Sequence, residues 1–167
     1  MRDLLELIEN EWSIPRADPR LPDSLVRCTV ERGSDLDNLE SFPFLVDSLP
    51  PDLIEFWQLA TCAVLFEDVT FGQWGLQLLS PYEALKETSR FILDRAWDFR
   101  MGDLIIGKFI GDSDLLLMRC DRSENDFGQV IVVLPIDKRP DWYLLSMSLE
   151  AMLRKFVETH GDKFWAT

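Results

Sequence analysis

His160 is the only histidine in the 167 residues, so any mechanism that needs an imidazole must use this one side chain. A Ser-His-Asp triad or a Cys-His pair requires a histidine between a nucleophile and an orienting group, and a multi-histidine zinc site requires at least a second. His160 instead follows Arg154 and Lys155 at the end of a helical pattern, where positive charge suits the helix dipole. Cys28, Cys62 and Cys120 are odd in number and widely spaced, and two lie in apolar runs, which fits reduced, buried thiols better than a disulfide framework or metal knuckle. Phe71-Gly72-Gln73-Trp74-Gly75 lacks both the Gly-Lys-Ser/Thr ending of a phosphate loop and the glycine spacing of a dinucleotide fingerprint. Asp121, Ser123 and Asn125 take alternate positions, as calcium-loop ligands do. Asp126 then stands where that loop needs glycine, and Val132 where it needs a bidentate glutamate. Thirty acidic residues could contain a glycosidase-type pair, but abundance singles none out. The sequence thus supports no catalytic residue, no cofactor and no metal.

What remains is charge and aromatic surface. Seventeen basic against thirty acidic side chains give a formal charge of -13, which repels phosphate backbones, argues against direct nucleic-acid binding and favours basic partners. The plainer reading is that the acids keep the protein soluble. Glu67, Asp68, Asp112, Asp114, Asp121, Glu124 and Asp126 cluster in turns and loops beside expected strands, where side chains are exposed on a rigid scaffold. They form the candidate partner-binding face. Of the six tryptophans, Trp74, flanked by glycine and preceded by Glu67-Asp68, is the one expected at the surface.

These residues need elements to position them. Leu104 to Ile110 and Leu115 to Met118, split by Gly111-Asp112-Ser113-Asp114, read as a β-hairpin. Val130 to Leu134 is apolar at consecutive positions, the mark of a strand covered on both faces. A further strand is expected from about Trp74 to Leu79, its flanking glycines marking a close backbone approach or a bulge. Helices are expected at the N-terminus, where Leu4, Leu5, Ile8 and Trp12 share a face; from Pro51 to Thr61; after Ser80-Pro81, with inner residues Leu85, Ile92, Ala96 and Phe99 and Gly102 as a stop; and after Ser148. Leu25 to Val30 suits a short strand, Asp35 to Glu40 a helical turn, and Glu67-Asp68 an acidic turn.

The length fits one domain over residues 1 to 167, and 47% hydrophobic with 28% charged residues is an ordinary globular composition. Early acids interrupt any signal-like apolar core, and no uncharged apolar run approaches about 18 residues, so a cytoplasmic protein without a membrane partner is expected.

Leu49-Pro50-Pro51-Asp52-Leu53-Ile54-Glu55-Phe56-Trp57 resembles the "LP-x-D-L-x-x-F" helix entry of the SUKH superfamily, which contains the fungal cell-wall-assembly regulator and many bacterial immunity proteins. Phe66-Glu67-Asp68 with Gly72 to Leu76 resembles its strand entry. Ile106 to Leu116 is similar to its central hairpin, and Ser148 to Leu153 to its closing "S-F-x-x-F-L" helix, with Leu149 and Met152 replacing the aromatics. Thr61-Cys62 replaces the family's usual Asn-Gly after the first of these helices. The resemblance runs from about Leu49 to Gly161. It implies an α+β fold, a largely antiparallel sheet with helices packed on it, and a non-enzymatic immunity protein that neutralises a cognate protein toxin. A basic nuclease effector is the toxin its charge would suit. The alternative implied is an intracellular regulatory scaffold of the cell-wall-regulator type.

Overall fold

The computed structural model describes residues 1–18, 23–33 and 49–166. The turn expected at Asp35 to Glu40 lies outside them. In chain order the elements are α1 (Arg2–Trp12), β1 (Arg16–Ala17), β2 (Leu25–Arg32), α2 (Pro51–Leu59), β3 (Ala60–Asp68), β4 (Leu76–Leu78), α3 (Pro81–Arg95), β5 (Asp103–Phe109), β6 (Leu115–Arg119), β7 (Val130–Val133), a 3-10 turn (Arg139–Asp141), β8 (Tyr143–Leu144) and α4 (Leu149–Glu158). The eight strands form one open sheet in sequence order, each antiparallel to the next. The fold is α+β.

The central strands are covered on both faces. Lys108 and Phe109 are neighbours on β5 and so point to opposite faces. Lys108 reaches Glu87 of α3 at 2.8 Å, whereas Phe109 meets the Phe156 ring of α4 at 6.5 Å. Helix α3 therefore lies on one face and α4 on the other. Trp12 of α1 joins the α4 side through Phe66, which contacts Phe156, and α2 joins it through Asp52, whose Oδ2 accepts the Glu150 N–H at the start of α4. The aspartate of the Leu-Pro-Pro-Asp-Leu segment thus satisfies a backbone donor in the first turn of a distant helix. Double cover explains why β5, β6 and β7 are buried at almost every position and why Leu116 and Val132 are wholly enclosed.

Local signals held where a side chain and backbone meet within one turn. Ser80 and Glu83 form the capping box of α3, and Ser148 Oγ accepts the Ala151 N–H of α4. Gly75 sits where a Cβ would come within 3.2 Å of the Glu67 Cα, the close approach its neighbours suggested.

Other boundaries differ. Helix α2 stops at Leu59 rather than Thr61, and Ala60 is already extended, so helix passes straight into strand and Thr61-Cys62 makes no turn. Glu67 and Asp68 close β3, and the turn comes after them. Helix α3 ends at Arg95 and turns Ala84, Thr88 and Phe91 inward. Ala96 is exposed, and Leu85 and Phe99 pack only at the margin. The reason is the β5 register shift between Ile105 and Gly107: Thr88 Oγ1 accepts the Ile105 N–H at 2.9 Å, which fixes the rotation of α3. Gly102 shapes the turn into β5 instead of stopping the helix.

Candidate partner-binding surface

Strand direction divides the expected acidic face in two. The end of β3, the start of β4 and the β5–β6 hairpin share one end of the sheet, with Glu67, Asp68, Trp74, Asp112 and Asp114. Asp121, Glu124 and Asp126 follow β6 and so lie at the opposite end, beside the start of β5. A seven-residue β5 spans roughly 20 Å, so the two groups are not one continuous face.

At the hairpin end the carboxylates are held by the protein itself. Glu67 pairs with Arg27 at 3.0 Å across β2 and β3. Asp68 is buried; its Oδ1 accepts the Ser24 hydroxyl at 2.7 Å and the N–H groups of Thr70 and Phe71. Burial alone would raise its pKa, but the Ser24 bond and these backbone donors outweigh burial and hold it below the usual carboxylate range. Lys163 bonds both Asp112 and Asp114. Its bond holds Asp112 below the ordinary range, whereas Asp114, more deeply buried and beside the Asp112 charge, is pushed above it. Burial opposes the Lys163 charge, yet the two carboxylates raise its pKa. The ammonium also lies 5.5 Å from the Trp74 ring centroid, and Trp74 Nε1 donates to Gly161 O at 2.9 Å. Trp74, expected at the surface, is half-buried and tied down; the exposed tryptophan is Trp97, at 76%.

The opposite end combines a buried ionic network with an open loop. Asp103 opens β5 and Arg119 closes β6 directly across from it, and Arg119 Nη1 donates to Asp103 Oδ1 at 2.7 Å with both side chains almost fully buried. Arg139 donates to both Asp103 oxygens, and its backbone N–H reaches Asp98. Asp98 also accepts from Arg95; burial pushes its pKa up, but the bonds from Arg95 and Arg139 bring it below normal. Arg119 Nε holds Asp126 Oδ2 at 3.0 Å, while Asp126 Oδ1 is buried without a donor among the described residues. Above this base Asp121, Glu124 and Asp126, with Arg100, Met101 and Arg119, line a cleft of about 440 Å³. Glu124 is exposed, and Asp121 accepts the Ser123 N–H and hydroxyl within its own loop. No local motif singles out this network. Its signal was present in the hairpin register, which sets an aspartate opposite an arginine at the head of two apolar strands.

Among the described residues no three His, Cys, Asp or Glu side chains converge as metal ligands, and no helix is long and apolar enough to cross a membrane. His160 lies against the Trp12 ring at 5.4 Å, one residue before the Gly161 carbonyl that accepts the Trp74 indole N–H. Burial pushes the Cys28 and Cys120 thiols up to about 12, so both are protonated and weakly nucleophilic at neutral pH. Among the described residues these side chains make hydrogen-bonded ion pairs, and none is set as a nucleophile against a neighbouring base.

A family model described as SMI1 / KNR4 family (SUKH-1) matches residues 36–155, most of the chain, beginning upstream of the segment in which the resemblance was first read. Neither the curated proteins nor the solved structures compared with the chain give a match.

Proposed function

Because this chain belongs to the SMI1 / KNR4 family (SUKH-1), which includes immunity proteins, we propose that it binds and neutralises a protein toxin without catalysing a reaction. The observation that carries the proposal is the charge: acidic groups exceed basic ones by thirteen. A basic nuclease is the toxin this charge suits best, since its nucleic-acid groove and this surface have opposite potentials. Occupying or obstructing that groove would suffice to block it.

Of the two groups of carboxylates, Asp121, Glu124 and Asp126 are the better contacts. A cation arriving at Asp112 or Asp114 must displace Lys163, whereas one arriving at Glu124 displaces only water. The test is co-expression with the C-terminal domain of a toxin encoded beside this gene, followed by binding of the purified pair. Protection of the host and a stable complex are the expected result. Toxicity undiminished by the chain, with no complex formed, would reject the reading and leave a regulatory scaffold as the alternative.

A further inference from the structure

The four most exposed large apolar side chains among the described residues are Ile136 (91%), Leu93 (85%), Met101 (80%) and Trp97 (76%), and all four come from two short segments. The network beneath draws these segments together. Arg95 Nη2 donates to Asp137 O at 2.5 Å, Arg139 N donates to Asp98 Oδ1 at 3.1 Å, and Arg119 Nη1 donates to Met101 O at 2.8 Å. Leu93 and Trp97 are four residues apart on a chain still helical at Ala96, so they share one side of that turn. Next to Trp97, Asp98 is buried and held by Arg95 and Arg139, which fixes the backbone that presents the ring. Scattered apolar residues on a surface are ordinary. A group of four that includes a tryptophan on a backbone anchored by buried ion pairs has the composition of a binding hot spot.

We propose that this outer layer over α3 is the docking surface for a basic partner protein, with Trp97 and Met101 as its apolar anchors. Charge selects the occupant. A second copy would bring a second charge of -13, and anionic membranes and nucleic acids are repelled in the same way, whereas a protein presenting an apolar patch among lysines and arginines is attracted. The surrounding segments carry Asp94, Asp121, Glu124 and Asp137 together with Arg90, Arg100, Arg122 and Lys138, so the attraction for a basic partner comes from the net charge of the whole protein. Met101 also lines the cleft of Asp121, Glu124 and Asp126, so apolar anchor and acidic loop are continuous. The proposal takes the identity of its partner from the immunity reading but the position of the surface from the geometry alone.

The test compares the wild type, Trp97→Ala, Met101→Ser and the hairpin-end variant Asp112→Lys for binding to the purified toxin domain, with melting temperatures as the check on folding. Trp97→Ala and Met101→Ser should each weaken binding about tenfold or more through faster dissociation, while Asp112→Lys binds with near-normal dissociation. Normal dissociation of the first two variants from a toxin that the wild type binds would overturn the surface and leave the immunity reading standing. Should the toxin domain not bind at all, the probe is an amphipathic Lys/Leu peptide followed by the six tryptophan indole N–H signals in NMR. A shift confined to Trp97, absent with an all-Lys and a Glu/Leu peptide, would support the surface although the immunity reading had failed. Shifts elsewhere, or none, would overturn it. A concentration-dependent dimer abolished by Trp97→Ala would assign the surface to a second copy and also overturn the proposal.

Discussion

At the hairpin end of the sheet Lys163 holds Asp112 and Asp114 from above, whereas at the opposite end Arg119 holds Asp103 and Asp126 from below and leaves Glu124 to solvent. At the first end the C-terminal segment closes over the carboxylates, with Trp74 bound to Gly161 and Trp165 stacked on Phe156. At the second, Arg119 and Asp103 are buried together in the base and the loop carboxylate Glu124 lies outside it. The same residue types therefore make a closed structural corner in one place and an accessible surface in another. The deciding factor is which partner charge the tertiary fold delivers, and to which side.

Removing Arg119 is the most severe way to break the second end. Arg119→Ala leaves Asp103 buried with only Arg139 and one backbone donor to satisfy it, and about 3–5 kcal/mol of stability should be lost, read as a large drop in denaturant midpoint. A loss below about 1 kcal/mol would show that water reaches the network and that the base of the surface is not rigid.

Asp68→Ala tests the first end in the same way. It deletes the acceptor of the Ser24 hydroxyl and of the N–H groups that begin the 69–73 turn, so about 1–3 kcal/mol should be lost. The variant also reports on pH. Because the folded Asp68 pKa lies below its unfolded value of about 3.9, its stabilisation is complete above that value and disappears as pH falls through the folded pKa. The wild type should lose stability below about pH 4, and Asp68→Ala should lose less over the same window; parallel curves would remove Asp68 from the account.

Lys163→Ala is smaller. The Lys163 pairs are partly exposed, so solvent screens them, and about 1 kcal/mol covers the ion pairs and the Trp74 contact together. The effect should shrink in 1 M salt. The informative result is in binding: with the lysine gone Asp112 and Asp114 become available, and association with a basic toxin should quicken if charge at this end can be recruited.

Smallest in stability, and sharpest for the comparison, is the double reversal Asp121→Lys with Glu124→Lys. As charges of a surface loop they should change stability least of the four sets of substitutions, read as the smallest shift in melting temperature. Association with the toxin domain should slow and lose salt dependence, whereas Asp112→Lys with Asp114→Lys should do so less. Equal slowing by both pairs would mean that the whole protein field steers the partner and that neither end is privileged.

The sequence determined what depends on neighbours along the chain. The period of Leu4, Leu5, Ile8 and Trp12, the Ser80–Glu83 box, the Ser148 cap and the hairpin around Gly111 to Asp114 all act within a turn or a strand pair, and each formed as its pattern implied. The unbroken apolar run of Val130 to Leu134 announced a strand covered on both faces, and Val130–Val133 forms it, buried at every position. The tertiary structure alone decided which carboxylates face solvent, since that depends on where Arg27, Arg119 and Lys163 arrive from distant segments. It also chose Trp97 over Trp74 for exposure. Flanking glycines made Trp74 look superficial, but the C-terminal segment folds back to give it a carbonyl and a cation, and no periodicity local to residue 74 encodes a partner 87 positions away.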